Sequence, residues 1–217
     1  MDSSYTKFSP YIDKEIKIIV ECGSRDCLGA IEMLKVYDPE IIYSFECNPE
    51  CIETCKENIQ NYSKIELIDK AVSDKNGEIT FYATDMQKSL DKNIGASSAL
   101  IHKGGQKTFV QKEIIVPSIT LDTFFNENNL DKIDLLCLDL QGYEKIALTG
   151  FLKNVEKVSY IISEVSFEDY YYNNVLFDEY VKFLEDLNFT MITVDPIQHF
   201  LQRRAFGDAL FINEKAT

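Results

Sequence analysis

The chain has 217 residues, 45% of them apolar, with a formal net charge of −14 and six cysteines. That apolar share suits one globular domain with a substantial core, and nothing in the composition suggests a large disordered region. The acidity argues against a nucleic-acid partner, because such a chain repels a phosphate backbone. Its nearest approaches to a basic patch are Lys103, Lys107 and Lys112, or Arg203 with Arg204.

The opening MDSSYTKFSPYIDKE has neither a basic leader nor an apolar core, and no apolar run reaches the length of a membrane span, so a cytoplasmic protein without a membrane partner is expected. Cys22, Cys27, Cys47, Cys51, Cys55 and Cys137 lack CxxC pairs. Cys47, Cys51 and Cys55 recur every four residues, which stacks them on one face if all lie within a helix. A metal site is one reading. No histidine or further close cysteine completes it, so buried reduced thiols and no metal are expected.

In chain order, Ile16 and Ile18 to Val20 form a β-branched apolar run of strand type, ending at the acid Glu21. Gly23 and Ser24 make a turn, and Asp26 offers an N-cap for a helix carrying Leu28, Ile31, Met33 and Leu34. Strand, acid, glycine turn and helix are how an open α/β sheet presents a nucleotide-like ligand at its carboxyl edge, with Gly23 letting the backbone approach it. The full GxGxxG pattern is absent. After the turn Asp38-Pro39 comes a second strand, 41–45, again ending in an acid, Glu46, and then Pro49 and a helix to Ile59. Glu46 follows Gly23 at close to the spacing at which an acidic side chain meets a ribose, and its two oxygens can each accept from a vicinal hydroxyl.

A third strand is expected at 65–68, a polar turn at 74–77 and an alternating strand at 78–83. Residues 84–112, with Gly95 to Ser98, His102 and Gly104-Gly105, form the least regular stretch, functional or mobile. Residues 113–116 supply a return strand, and Thr120 begins a helix. The apolar strand 133–139 ends at Asp139, before Leu140-Gln141-Gly142-Tyr143-Glu144 and a helix closing at Gly150. Strand 158–165 ends near Glu164. The run Tyr170 to Tyr172 reads either as a stacking wall for a substrate or as packing beneath a loop. A helix at 177–187 and strands at 189–194 and 208–212 close an α/β layer sandwich. The whole of 1–217 is read as one domain, with 1–15 as a lead-in and 84–112 as an insertion over the site.

Three blocks resemble the FkbM-type methyltransferases: IIVECGSRDCLGA at 18–30, YSFECNPE at 43–50 and SITLDTFFNENNLDKIDLLCLDLQGYEKIALTG at 118–150. The last is the most specific. KAVSDKNGEITFY at 70–82, GASS at 95–98 and GDALFI at 207–212 agree with it. The resemblance implies a Rossmann-like class I methyltransferase fold, with a seven-stranded, mostly parallel sheet whose last strand is antiparallel. It also implies S-adenosylmethionine as methyl donor. Carried over, Glu21, Gly23, Ser24 and Asp26 would surround the methionine portion and the ribose edge, and Glu46 would hold the ribose hydroxyls. Cys47 and Asn48 would line the adenine, Lys70 and Ala71 its other side. Asp139 and Gln141 would sit beside the sulfur, with Glu144 just beyond. Three departures stand out: Glu21 replaces the usual Asp, Ser24-Arg25 a small Ala-Asn pair, and Cys137-Leu138 a Lys-hydrophobic pair.

Such a family often methylates hydroxyls of sugars or small metabolites, so a glycan or small-molecule acceptor is expected. Methyl transfer to an alcohol needs near-attack geometry and gains from a general base. Asp139 is the first candidate base, followed by Glu144, Glu164 and His102. A nicotinamide-dependent oxidoreductase on the same sheet is the rival enzyme reading, disfavoured because one glycine cannot build a pyrophosphate-binding turn. A donor-binding domain without catalysis is the rival from the binding class.

Overall fold

Apolar runs that end in an acid become neighbouring strands of one sheet. The computed structural model describes residues 5–104, 109–196, 199–200 and 203–216. Its elements are β1 (Ile18–Cys22), α1 (Leu28–Tyr37), β2 (Ile41–Phe45), α2 (Pro49–Ile59), β3 (Ile65–Ile68), β4 (Ala71–Val72), β5 (Gly77–Thr84), β6 (Gln111–Ile119) and α3 (Leu121–Glu127). There follow β7 (Ile133–Leu138), α4 (Glu144–Thr149), β8 (Val158–Ser166), α5 (Phe177–Asp186), β9 (Phe189–Pro196), β10 (His199–Phe200), β11 (Arg203–Arg204) and β12 (Phe206–Asn213). The main sheet has seven strands in the order β3-β2-β1-β7-β8-β12-β9. Neighbours from β3 to β8 are parallel, and β12 runs antiparallel to both β8 and β9. This is the class I methyltransferase sheet that the resemblance implies.

The central strands read as unbroken apolar runs because both faces are covered. Every residue of β7 is buried. Along β1 and β7 the side chains divide between two cores: Val20, Leu136 and Leu138 pack with Phe45, Phe124 and Phe151, while Ile19, Leu135 and Cys137 pack with Met33, Ile42 and Tyr160. Tyr5 and Phe8, from the stretch expected to be a mere lead-in, belong to the second core.

Two local expectations are corrected. Strand β1 starts at Ile18 rather than Ile16, since the amides of Lys17 and Ile18 donate to the Asp134 carboxylate at 2.8 and 2.9 Å; Glu21 thus lies within the strand. Asp26 is not the N-cap of α1. Arg25 and Cys27 take left-handed backbones (φ 57° and 59°), Cys27 occupies the cap, and the Asp26 carboxylate accepts from the Leu28 amide at 3.1 Å from one residue further back.

The second sheet, β4-β6-β5, carries the insertion. β5 and β6 form an antiparallel hairpin in register from Gly77↔Ser118 to Thr84↔Gln111. The return strand is therefore longer than expected, and the irregular stretch begins after Thr84; Gly105 and Lys107 lie outside the described residues. No helix among the described residues is long and apolar enough to cross a membrane.

Candidate active site

β1, β2 and β7 end side by side, so Glu21, Glu46 and Asp139 converge on a cleft of about 890 Å³ at the carboxyl edge of the sheet. That size suits a cofactor together with a small second ligand. Gly23, Ser24, Asp26, Cys47, Asn48, Lys70, Ala71, Gln141, His102 and Glu164 also line it. Every expected donor contact thus faces one space.

Glu46 is a built feature of this end. Its Oε2 accepts from the Arg25 amide and its Oε1 from the Asn48 amide, each at 2.7 Å. Burial pushes its carboxyl up, and the backbone amides oppose that by favouring the charged form. Glu21 accepts from Ser44 Oγ at 2.6 Å, and burial pushes its carboxyl up to about 7. A Cβ on Gly29 would stand 2.7 Å from Glu21 Oε1, so this α1 glycine makes the space that Glu21 occupies.

Gly23 has a different reason for its lack of a side chain from the one expected. At φ +89° a Cβ would lie 1.9 Å from the carbonyl oxygen of Asp139. The glycine lets two site loops touch, and the ligand is only the second beneficiary. Asn48 caps α2, accepting from the Glu50 amide at 3.1 Å, while its buried Nδ2 has no hydrogen-bond partner among the described residues. An orphaned donor costs free energy unless a ligand meets it. Asn48 lines the same cleft as Cys47, Ala71 and Phe81.

At the other end, the Asp139 amide extends the β1–β7 pairing by donating to the Cys22 carbonyl at 3.0 Å. Gln141, in a left-handed conformation (φ 54°), turns its amide back into the cleft. Its Nε2 lies 2.8 Å from Asp139 Oδ1 and 3.1 and 3.0 Å from the two oxygens of Glu164. Tyr171 OH sits 3.1 Å from both Gln141 Oε1 and the Ala96 carbonyl. Burial pushes the Asp139 carboxyl up, against the Gln141 amide and the Arg25 guanidinium. Burial and then the acids Asp139, Glu144 and Asp208 push Glu164 well above the usual carboxylate range.

Two of the expected bases do other work. Glu144 does not line the cleft; its Oε1 accepts from the Leu140 and Gly142 amides at 2.7 and 3.2 Å, bracing the turn after β7. His102 lines the cleft, but its Nδ1 accepts from the Gly104 amide at 2.7 Å, which leaves the proton of the neutral ring on Nε2. Burial also lowers its pKa, so it offers a donor rather than a base.

Ser97 and Ser98 are tied down. The Thr84 amide donates to Ser97 Oγ at 3.0 Å, and Ser98 Oγ donates to the Gln141 carbonyl at 2.9 Å. Residues that only the fold brings here include Tyr5, Phe109 and Phe206; Arg25 and Tyr170 line the cleft as well. Tyr170 packs on Phe206 with ring centroids 5.0 Å apart, and His102 on Phe109 at 4.8 Å. Of this aromatic wall only the tyrosine run was visible in the sequence; Tyr172 of that run is exposed. Among the described residues no group of three or more His, Cys, Asp or Glu side chains is placed to hold a metal ion. Cys47 precedes α2, on which Cys51 and Cys55 are buried.

The methyltransferase FkbM domain family matches residues 21–191. A relative named 2-O-methyltransferase NoeI, from Sinorhizobium fredii (strain NBRC 101917 / NGR234), is 26% identical over 164 residues, covering 74% of this chain and 68% of that protein. Among solved structures, magnesium protoporphyrin IX methyltransferase of Synechocystis PCC 6803 with bound SAM is 8% identical with a TM-score of 0.57, covering 97% of this chain and 77% of that one. M. capricolum TrmK with S-adenosylhomocysteine is 12% identical with a TM-score of 0.53, covering 99% and 70%. At such identities these two structures report the fold alone. The family match spans the sheet edge, the acids and the insertion together, and by it the chain belongs to the FkbM methyltransferase domain family, whose methyl donor is S-adenosylmethionine.

Proposed function

We propose that the chain is an O-methyltransferase acting on a hydroxyl of a sugar, a glycan or a small metabolite. The carrying observation is the carboxyl pair Asp139 and Glu164 in the same cleft as the wall of Tyr170, Tyr171, Phe206, His102 and Phe109. Aromatic faces hold the C–H face of a sugar ring, and a neighbouring carboxylate takes a hydroxyl proton. The relative named as a 2-O-methyltransferase supports an oxygen acceptor. The net charge of −14 disfavours a nucleic acid.

When bound, S-adenosylmethionine supplies a methyl group already activated on a sulfonium. Glu46 holds the ribose diol with the oxygen lone pairs left over from its two backbone bonds, and Asn48 Nδ2 meets the adenine. Glu21, Ser24 and Asp26 flank the methionine portion, and Cys47, Lys70 and Ala71 line the purine. Asp139 stands beside the sulfur and is the base, oriented by Gln141. Calorimetric titration with S-adenosylmethionine and with NAD, followed by a radiolabelled-donor screen of sugars, tests this reading. Binding of the first ligand and labelling of a hydroxyl are expected. Binding of NAD alone would favour the oxidoreductase, and donor binding without any labelled acceptor would favour a catalytically silent domain.

A further inference from the structure

Asp139 follows β7 and Glu164 lies in β8, yet one amide nitrogen serves both. Gln141 Nε2 lies within 3.1 Å of three carboxylate oxygens, and an amide has only two hydrogens to give. The orientation of that amide is not free, since Tyr171 OH sits against its oxygen at 3.1 Å. Glu164 is 8% exposed. The charged groups acting on it most strongly are acidic: Asp139 from the turn after β7, Glu144 from the start of α4, and Asp208 from β12, its cross-strand partner. Asp208 has its own cation, Lys7 Nζ at 3.0 Å, which Asp195 of β9 shares at 2.9 Å. Arg25 acts on Asp139, Glu21 stands at the end of β1, Tyr171 faces the pair, and Tyr180 of α5 is bonded to Ser163 beside Glu164. Two carboxylates this close, buried and joined by a neutral amide, cannot both be charged cheaply.

We infer that Asp139, Gln141 and Glu164 form one proton-holding unit. It releases a proton to solvent when the cationic donor enters the cleft, and it takes the acceptor's hydroxyl proton when the methyl is transferred. The inference rests on the donor reading above and extends it by making Glu164 a second catalytic carboxyl. A sulfonium beside the unit favours its doubly charged form by the same Coulombic rule that otherwise disfavours it. In the transfer, the acceptor O–H bond breaks and its oxygen bonds to the methyl carbon. The sulfur–methyl bond breaks with its electron pair left on sulfur, and the hydroxyl proton returns to the unit. One positive and one negative charge thus disappear together, so the net charge of the buried site is the same before and after the transfer. Donor and product differ by one positive charge, and the unit distinguishes them.

Calorimetry with S-adenosylmethionine and S-adenosylhomocysteine, in two buffers of unlike ionisation enthalpy near pH 6.5, tests this directly. At that pH the α-amino groups, with pKa values of about 7.7–8.0, stay protonated. The donor should release more protons on binding than the product does. Its affinity should rise with pH, up to about tenfold per unit for a full proton, where the product's affinity rises less. In Glu164→Gln the difference between the two ligands should vanish. Equal proton exchange for both ligands in the unaltered protein would overturn the inference without any variant, as would a difference that survives Glu164→Gln. Absence of binding by either ligand would overturn the donor reading along with it; binding of both with equal exchange would overturn the proton unit alone.

Discussion

At the scale of single residues, the acids that end strands each perform a different task. Glu46, proposed above as the ribose ligand, is also the acceptor for two backbone amides, those of Arg25 and Asn48. Glu46→Ala should therefore weaken S-adenosylmethionine binding by about 1.5–3 kcal/mol and also lower stability by about 1–3 kcal/mol, through the orphaned amides. Calorimetry and a denaturant titration check both; an unchanged donor affinity would remove Glu46 from the ribose. Asp139→Asn keeps the shape and removes the charge. Turnover should fall by about 10²–10⁴ if Asp139 is the base, with donor affinity much less affected, as read from steady-state kinetics and titration. The sequence marked Glu21, Glu46 and Asp139 because an apolar strand ending in an acid is a local pattern. It was silent on Tyr5, Phe109 and Phe206, which reach the cleft only through contacts between distant segments. Glu144 looked catalytic because a turn-bracing carboxylate and a reacting one have the same local sequence.

At the scale of elements, the irregular stretch between β5 and β6 is stitched to the sheet edge at Ala96, Ser97 and Ser98. Ser98 pairs with Tyr82 through backbone bonds of 2.8 and 3.3 Å, and Tyr171 OH reaches Ala96. This part of a stretch read as functional or mobile carries hydrogen bonds to the sheet edge. Hydrogen bonds from hydroxyls to distant carbonyls leave no periodic trace in a sequence, so composition could not show these attachments. Tyr171→Phe removes the hydroxyl that meets both Ala96 and Gln141. It should cost about 0.5–1.5 kcal/mol of stability, speed amide exchange around Ser98 without ligand, and raise the acceptor KM more than it weakens donor binding. Hydrogen exchange together with the two binding measurements checks this. The strands were legible almost to the residue at β2 and β3, where apolar runs are bounded by turns. The cap of α1 was not, because left-handed residues other than glycine at Arg25 and Cys27 moved it by one position.

At the scale of the whole molecule, buried acids gather in and behind the carboxyl edge of the sheet. Glu21, Glu144 and Asp208 are each pushed up to about 7, mainly by burial. Their folded values lie above the unfolded ones, so their contribution to stability is full below about pH 4 and is lost as pH rises through about 7. The ligand-free protein should accordingly melt higher at pH 5.5 than at pH 7.5. Each kcal/mol is worth about 2–4 °C in a chain of this size. A thermal scan across that range checks the sign, and saturating S-adenosylmethionine should shrink the difference by favouring charged carboxyls. The strand order has a consequence of its own for synthesis. β8, α5 and β9 make a complete parallel crossover unit, yet in the finished sheet β12 lies between the two strands. At about 5–20 residues per second, the ribosome delivers β12 roughly 2–10 s after β8. Once β9 has followed, β8 and β9 hold open edges that match each other, and the native order is reached only if they remain apart until the strand that belongs between them has been made.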